Sequence, residues 1–295
     1  MKLIILGAKG MLGYALAQTF RDTAPVLWDK DDCDISNRAL VNDRLLAEKP
    51  DIVINAAAYT DVDGSETNRD LALAVNATGP GNIADACRTF GATAVHYSTD
   101  YVFDGIRADG YTEDAKPTHP ANFYGRSKLA GEELFLSPLK LLESGTLNWY
   151  LIRTSWLFGP HGKNFVTSIL GRAEGGQREF KVVDDQFGKP TYTYDLAQTT
   201  FDCVTQKKPS GIYHAANVTD PASGITWYEF TKEIFRQAAT FNASFAQIEV
   251  APCTSAEFPR KAIRPKYSAL LNTKLPPLRP WQVALEDYLR HYVFA

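Results

Sequence analysis

The chain has 295 residues, 45% hydrophobic, 12% aromatic and 22% charged, with a formal net charge of −3. That length calls for two lobes or one large α/β domain, and the composition is that of an ordinary globular protein. The slight acidic excess, with no lysine/arginine-rich run, excludes nucleic acid as the main partner.

Lys2 to Leu6 is a short apolar run that leads straight into glycines, so it reads as a buried strand rather than a signal peptide or membrane span. No membrane partner is expected, and the expected location is the cytoplasm. Gly7, Gly10 and Gly13 follow, and Met11, Leu12, Ala15, Leu16 and Phe20 then recur at helical spacing. Strand, glycine-rich turn and helix in this order suit a dinucleotide. The first glycine allows the tight turn, the second a close approach of the pyrophosphate, and the third tight packing of helix on strand. The spacing is G-x-x-G-x-x-G rather than G-x-G-x-x-G. A second strand, Pro25 to Trp28, ends at Asp29 and Lys30. An acid there favours a free ribose 2′-hydroxyl and a cation a 2′-phosphate, so NADH and NADPH stay open. Asp34 and Ile35 stand where an adenine would lie, although Asp34 or Ser36 capping a helix is an equal reading.

A third strand, Asp51 to Asn55, ends in Ala56, Ala57, Ala58 and Tyr59. These are small residues at a strand end where a flat ligand would fit. A helical region from Leu71 to Cys87 is expected to break near Gly79-Pro80-Gly81. The fourth strand, Thr93 to Tyr97, ends in the hydroxyls of Ser98 and Thr99, which taken singly read as turn residues. The loop from Asp104 to Pro120 is long enough to be functional or mobile.

The helix around Asn122 to Leu134 carries Tyr124 and Lys128 four residues apart, on one face. An ammonium there can stabilise a phenolate and make the tyrosine a general acid/base. A strand, Trp149 to Trp156, completes an alternation that calls for a doubly wound parallel sheet. Beyond Gly159 we expect helices over Asn164 to Ala173 and Tyr194 to Val204, and short strands over Phe180 to Val183 and Gly211 to Ala216. A helix carrying Trp227, Phe230, Ile234 and Phe235 follows, then a proline-rich irregular stretch, then a last helix from Trp281 to about Val293. This part reads as a smaller, irregular cap. The expected division is residues 1–158 plus about 188–217 for a Rossmann-like NAD(P)-binding domain, and about 159–187 plus 218–295 for a substrate-binding lobe. The four cysteines, Cys33, Cys87, Cys203 and Cys253, are far apart, with neither metal nor redox spacing, and fit a reducing compartment.

Taken together, the glycine turn, Asn55 to Ala58, Ser98 to Phe103 and Tyr124 to Lys128 resemble the extended short-chain dehydrogenase/reductases, and within them the dTDP-4-dehydrorhamnose reductases. Arg153 to Trp156, Asp185 to Thr191, and Arg264-Pro265 followed by Leu271-Asn272-Thr273 extend the resemblance over nearly the whole chain. It implies an NADPH- or NADH-dependent reduction of the C4 ketone of dTDP-4-dehydro-L-rhamnose to dTDP-L-rhamnose. Thr99, Tyr124 and Lys128 are then the catalytic trio. Gly7, Gly10, Met11, Leu12, Gly13, Asp29, Asp34, Ile35, Ala56, Ala57, Tyr59 and Ser98, with Tyr124 and Lys128, line the cofactor. Thr99, Tyr101, Trp156, Asn164 and Arg264 hold the nucleotide sugar. Some members of the family bind magnesium through glutamates at a dimer interface. The matching positions here carry Ala15 and Tyr194, so no metal is expected, and a monomer is expected over a magnesium-dependent dimer. The alternatives are another nucleotide-sugar 4-ketoreductase or epimerase on the same scaffold, or a non-catalytic subunit resembling the regulatory partner of methionine adenosyltransferase.

Overall fold

The computed structural model describes residues 1–140 and 147–295. The first part alternates strand and helix: β1 (Leu3–Leu6), α1 (Met11–Thr19), β2 (Val26–Trp28), α2 (Arg38–Glu48), β3 (Ile52–Asn55), α3 (Arg69–Leu73), α4 (Gly79–Phe90), β4 (Thr93–Thr99), α5 (Phe123–Leu139) and β5 (Trp149–Thr154). The remainder is β6 (Leu157–Phe158), α6 (Phe165–Glu174), β7 (Glu179–Val183), β8 (Phe187–Gly188), β9 (Thr191–Tyr192), α7 (Thr193–Thr205), β10 (Gly211–His214), β11 (Ile225–Thr226), α8 (Trp227–Phe241), β12 (Glu249–Cys253) and α9 (Trp281–Tyr288).

Six strands form one parallel sheet in the order β10-β5-β4-β3-β1-β2. Successive side chains of a strand point to opposite faces, and each face has its own core. Ile4, Leu6, Val53 and Leu151 pack against Val41, Ile83 and Phe135 of α2, α4 and α5. Leu3, Ile5, Ile54 and Ile152 pack against Leu12, Leu16, Leu196 and Cys203 of α1 and α7. The sheet is therefore doubly wound, as the alternation of strands and helices implies. The chain leaves β1 for β2 on one side and for β3 on the other. The crevice beyond the C-terminal ends of β1 and β3 is thus a switch point, where ligands bind in open α/β sheets.

A third core, rich in aromatic residues such as Phe158, Phe180, Tyr192, Phe230 and Trp281, sits among α6, α8 and α9. Small strand pairs border it: β7 with β12, β6 with β9, and β8 with β11. β12 falls in the proline-marked stretch expected to be irregular. Its Pro252 is tolerated because β12 pairs on one side only, with β7.

The helical region after Leu71 does not break at Gly79-Pro80-Gly81. Pro80 lies in the first turn of α4, where a missing N–H costs nothing. The irregularity comes one turn earlier, as a π-type turn over Ala74–Thr78. The loop after Asp104 is pinned rather than loose. Phe103 and Tyr111 stack at 4.2 Å, and the Glu113 carboxylate accepts from the backbone of His214, Thr273 and Lys274. Cys33, Cys87, Cys203 and Cys253 are buried free thiols. Among the described residues no helix is long and apolar enough to cross a membrane.

Candidate active site

The glycine turn is built as its spacing requires. Gly7 has φ +74°, and a Cβ there would come within 2.6 Å of the Ala57 amide nitrogen. A Cβ on Gly13 would run into the Gly7 carbonyl oxygen, so α1 can lie against β1 only with glycine at that position. Gly10 caps α1 without a side-chain hydrogen bond. The first-turn amides therefore face the crevice with the partial positive charge of a helix N-terminus.

Beside this turn lies a cavity of about 490 Å³, walled by Gly7, Gly10, Asp29, Ile35, Ala57 and Tyr59. Asp29 accepts from the Lys9 and Lys30 amides and, with Lys30, borders the cavity. Asp34 borders it too, but caps no helix. Its carboxylate takes the Ser36 hydroxyl and amide, and these bonds, the hydroxyl's foremost, hold it below its ordinary range. α2 is capped instead by Asn37. Asn55 turns back to accept from the Ala57 amide, which sets the bend at Ala56 and Ala57.

A second cavity, about 690 Å³, shares Gly10, Ala56 and Ala58 with the first and adds Met11, Leu12, Ser98, Thr99, Tyr124, Lys128 and Trp156. The π-type turn reaches the first cavity through Val75 and is tied to Tyr59 and α5 by a residue that sequence reasoning missed. Buried Asn76 accepts from the Tyr59 amide at 2.8 Å and donates to the Tyr59 carbonyl and the Ser127 hydroxyl. The only local sign of it was an asparagine inside an apolar helical pattern.

Tyr124 and Lys128 lie on one face of α5, whose first turn Asn122 caps through the Gly125 amide. Lys128 is buried, and its ammonium donates to the Tyr97 carbonyl at 2.7 Å. Burial lowers it to about 8, against the opposing charge of Glu132. The Tyr124 phenol lies above its ordinary value because of burial first and the nearby Asp100 second, while the Thr99 hydroxyl facing it acts the other way. The expected depression of the phenol by Lys128 is therefore not found. The ammonium is occupied at a backbone carbonyl, and the half-buried phenol is kept as a protonated acid. Ser98 presents a buried hydroxyl with no protein partner. The uncapped helix end, the glycine cradle and this free hydroxyl together fit a dinucleotide that reaches from the first cavity into the second.

On the cap side, Tyr101 meets Tyr124 edge to face at 5.9 Å. Trp156 stacks on Trp227 at 3.5 Å with the rings within 9° of parallel, over Gly188, where any Cβ would strike the indole. Behind this pair a cavity of about 320 Å³ gathers Arg172, Lys181, Arg260 and Arg264 with Phe165 and Phe258. Arg264 is braced by Asp63 at 3.0 and 3.1 Å. Asn164 stands apart from these walls. Its side chain caps α6 through the Thr167 amide and donates to Gly159 O and to the Tyr288 hydroxyl. Its amide protons are taken up by these two acceptors, and the structure gives Asn164 the role of a helix cap.

Residues 1–294 match the family model described as the RmlD substrate binding domain. A dTDP-4-dehydrorhamnose reductase of Streptomyces griseus is 38% identical, over 96% of this chain and 91% of its own. A probable dTDP-4,6-dihydroxy-2-methyloxan-3-one 4-ketoreductase of Streptomyces antibioticus is also 38% identical, over 97% and 94%. The crystal structure of dTDP-4-dehydrorhamnose reductase from Bacillus anthracis in complex with NADP superposes with a TM-score of 0.88 at 35% identity, covering 98% and 99% of the two chains. The chain belongs to the dTDP-4-dehydrorhamnose reductase family of the extended short-chain dehydrogenase/reductases.

Proposed function

We propose that the chain reduces the C4 ketone of dTDP-4-dehydro-L-rhamnose to dTDP-L-rhamnose at the expense of NADPH or NADH, with Tyr124 as general acid. The observation that carries this reading is the meeting of Thr99, Tyr124 and Lys128 on one wall of a cavity that continues into the glycine turn. When bound, the nicotinamide supplies the hydride to the ketone carbon. Tyr124 holds its proton at neutral pH and gives it to the oxygen as negative charge develops there. Thr99 offers that oxygen a preorganised dipole. Lys128, fixed at the Tyr97 carbonyl, puts a positive charge on the same wall and suits a nicotinamide ribose. The first-turn amides of α1, with Gly7, Gly10 and Gly13, suit the pyrophosphate, and Asp29, Asp34, Ile35, Ala56, Ala57 and Tyr59 suit the adenosine end. In the cap, the four cations and two phenylalanines around Trp227 suit a nucleoside diphosphate, with Tyr101, Trp156 and Arg264 nearest the sugar.

The same reading takes the protein as a monomer without magnesium. Ala15 is fully buried under α7, and the Tyr194 hydroxyl accepts from that of Tyr292. Sedimentation with and without magnesium checks this, and a magnesium-dependent dimer would overturn it.

The deciding assay adds NADPH or NADH to dTDP-4-dehydro-L-rhamnose made by the upstream enzymes. Cofactor oxidation with formation of dTDP-L-rhamnose is expected, and no oxidation with either cofactor sinks the reading. Tyr124→Phe is expected to lose about 10²–10⁴-fold in turnover while still binding NADPH. The Streptomyces antibioticus relative, equally similar, favours a second reading in which another dTDP-4-keto sugar is the substrate. The relative kcat/KM of the two sugars decides between them, and net cofactor consumption excludes an epimerase.

A further inference from the structure

The hydroxyl of Thr99 has one proton to give and two lone pairs to offer, and three groups compete for them. The Tyr101 amide, 3.2 Å away, can only donate. The Asp100 carboxyl lies 2.9 Å away, and the Tyr124 phenol faces the same oxygen. The amide takes one lone pair, so of the other two groups one must donate to Thr99 and one must accept from it. An ionised Asp100 can only accept. It then draws the Thr99 proton to itself and leaves the phenol proton directed at Thr99, away from a ketone. A neutral Asp100 donates instead. Thr99 then points its proton toward the phenol and the reacting oxygen, and the phenol is free to give its own.

The surroundings of Asp100 favour the neutral form. Its side chain is 2% exposed, and its second oxygen has no hydrogen-bond partner. The groups that face it are the hydroxyls of Ser268 and Thr99, the amides of Asp100 and Tyr101, and the phenols of Tyr101 and Tyr124; the hydroxyls and amides favour the carboxylate, and burial outweighs them. The Ser268 hydroxyl donates to the Phe187 carbonyl. The cations of the cleft are engaged elsewhere, Lys128 at the Tyr97 carbonyl and Arg264 at Asp63. Burial with no cation to compensate raises the carboxyl to about 7, the condition under which a carboxylic acid can serve as a hydrogen-bond donor.

We propose that Asp100 works as a neutral acid that turns the Thr99 hydroxyl toward the reacting oxygen, and that its ionisation reverses Thr99 and stalls reduction. This rests on the reductase reading above. The protons balance. Tyr124 gives its proton to the alkoxide, and the phenolate left behind recovers one from water after product release. Thr99 and Asp100 keep their protons throughout and only direct hydrogen bonds. Asp100 is thus a positioning residue that acts through Thr99.

Asp100→Asn and Asp100→Leu separate this from a packing role, because the amide keeps a permanent N–H donor and leucine has none. Turnover with NADPH and dTDP-4-dehydro-L-rhamnose is measured from pH 6 to 8. The ratio of the asparagine variant to wild type is expected to rise about fivefold or more over that range. Taking the ratio cancels the titration of Lys128. The leucine variant is expected to be at least tenfold slower than the asparagine variant at pH 6. A flat ratio, or equal rates for the two variants, overturns the proposal. Infrared difference spectra of wild type against the asparagine variant, without cofactor, give a readout free of turnover. A protonated-carboxyl C=O band at pH 6 that fades by pH 8 is expected, and its absence at pH 6 overturns the proposal. If wild type oxidises no cofactor at any pH, the reductase reading fails, and the infrared band still decides the protonation of Asp100.

Discussion

Lys128 and Asp100 face one cleft, and burial moves both toward neutrality, the lysine down to about 8 and the aspartate up to about 7. For Asp100 the consequence reaches stability. The folded state holds this proton more tightly than the unfolded chain. The contribution is therefore complete below about pH 4 and is lost as pH rises through about 7. Asp100→Asn has no such loss. Its unfolding free energy relative to wild type should rise by about 2–4 kcal/mol between pH 5 and pH 8, read from urea denaturation, and a difference that does not change with pH would remove the effect. None of this was legible beforehand. Ser98, Thr99 and Asp100 read as the polar tip of a strand, and a local pattern does not reveal that a tip is covered by Ser268 from the far end of the chain. Asn164 teaches the reverse, since an asparagine just ahead of a helical run is an N-cap signal and the cap is what the structure contains.

The element that ties the end of β3 to α5 is the π-type turn between α3 and α4. Asn76 closes both backbone groups of Tyr59 and reaches Ser127 on α5, and a Cβ on Gly131 would strike the Asn76 carbonyl. Asn76→Ala takes the side-chain partner from two part-buried backbone groups. It should cost about 2–3 kcal/mol in urea unfolding and weaken NADPH binding in a fluorescence titration, whereas an unchanged affinity would confine Asn76 to stability. α5 is fixed to the sheet on its other side by Glu132, bidentate to Arg153 at 2.7 and 2.8 Å with both side chains almost wholly buried. Glu132→Gln strands a buried guanidinium, at about 3–5 kcal/mol, measurable in the same unfolding assay. The helices and strands themselves were readable because apolar spacing and glycine turns are local. The π-type turn was not, because a one-residue slip in helical pairing hardly disturbs that spacing.

At the scale of the whole molecule, the last part of the chain returns to brace the first. Glu113, 4% exposed, accepts from His214, Thr273 and Lys274. Tyr111 pairs with Leu270, Phe187 with Tyr267, and Arg264 locks onto Asp63. Burial acts to raise the Glu113 carboxyl, but its hydrogen bonds, that of Thr273 foremost, outweigh it and hold the group below its ordinary value. Its contribution is therefore present above about pH 4 and is lost as pH falls further. Glu113→Ala should destabilise by about 2–4 kcal/mol and raise KM for the sugar more than Kd for NADPH. Equal effects on both ligands would show that the brace does not act on the sugar side. This return path was the least legible part of the sequence, since proline-rich segments without periodicity take their places from distant contacts.

Glu113 and Thr273 stand 160 positions apart, which matters during synthesis. At about 5–20 residues per second, the ribosome needs roughly 10–30 s to deliver the second after the first. β1 to β5, with the glycine turn among them, emerge before that interval ends, while Arg264, which braces Asp63, is among the last of the cavity residues to be translated. Whatever binds the folded form stabilises it by mass action. On the proposed reading the dinucleotide meets residues that are translated first, which makes it the ligand placed to act as a folding chaperone for the nascent chain.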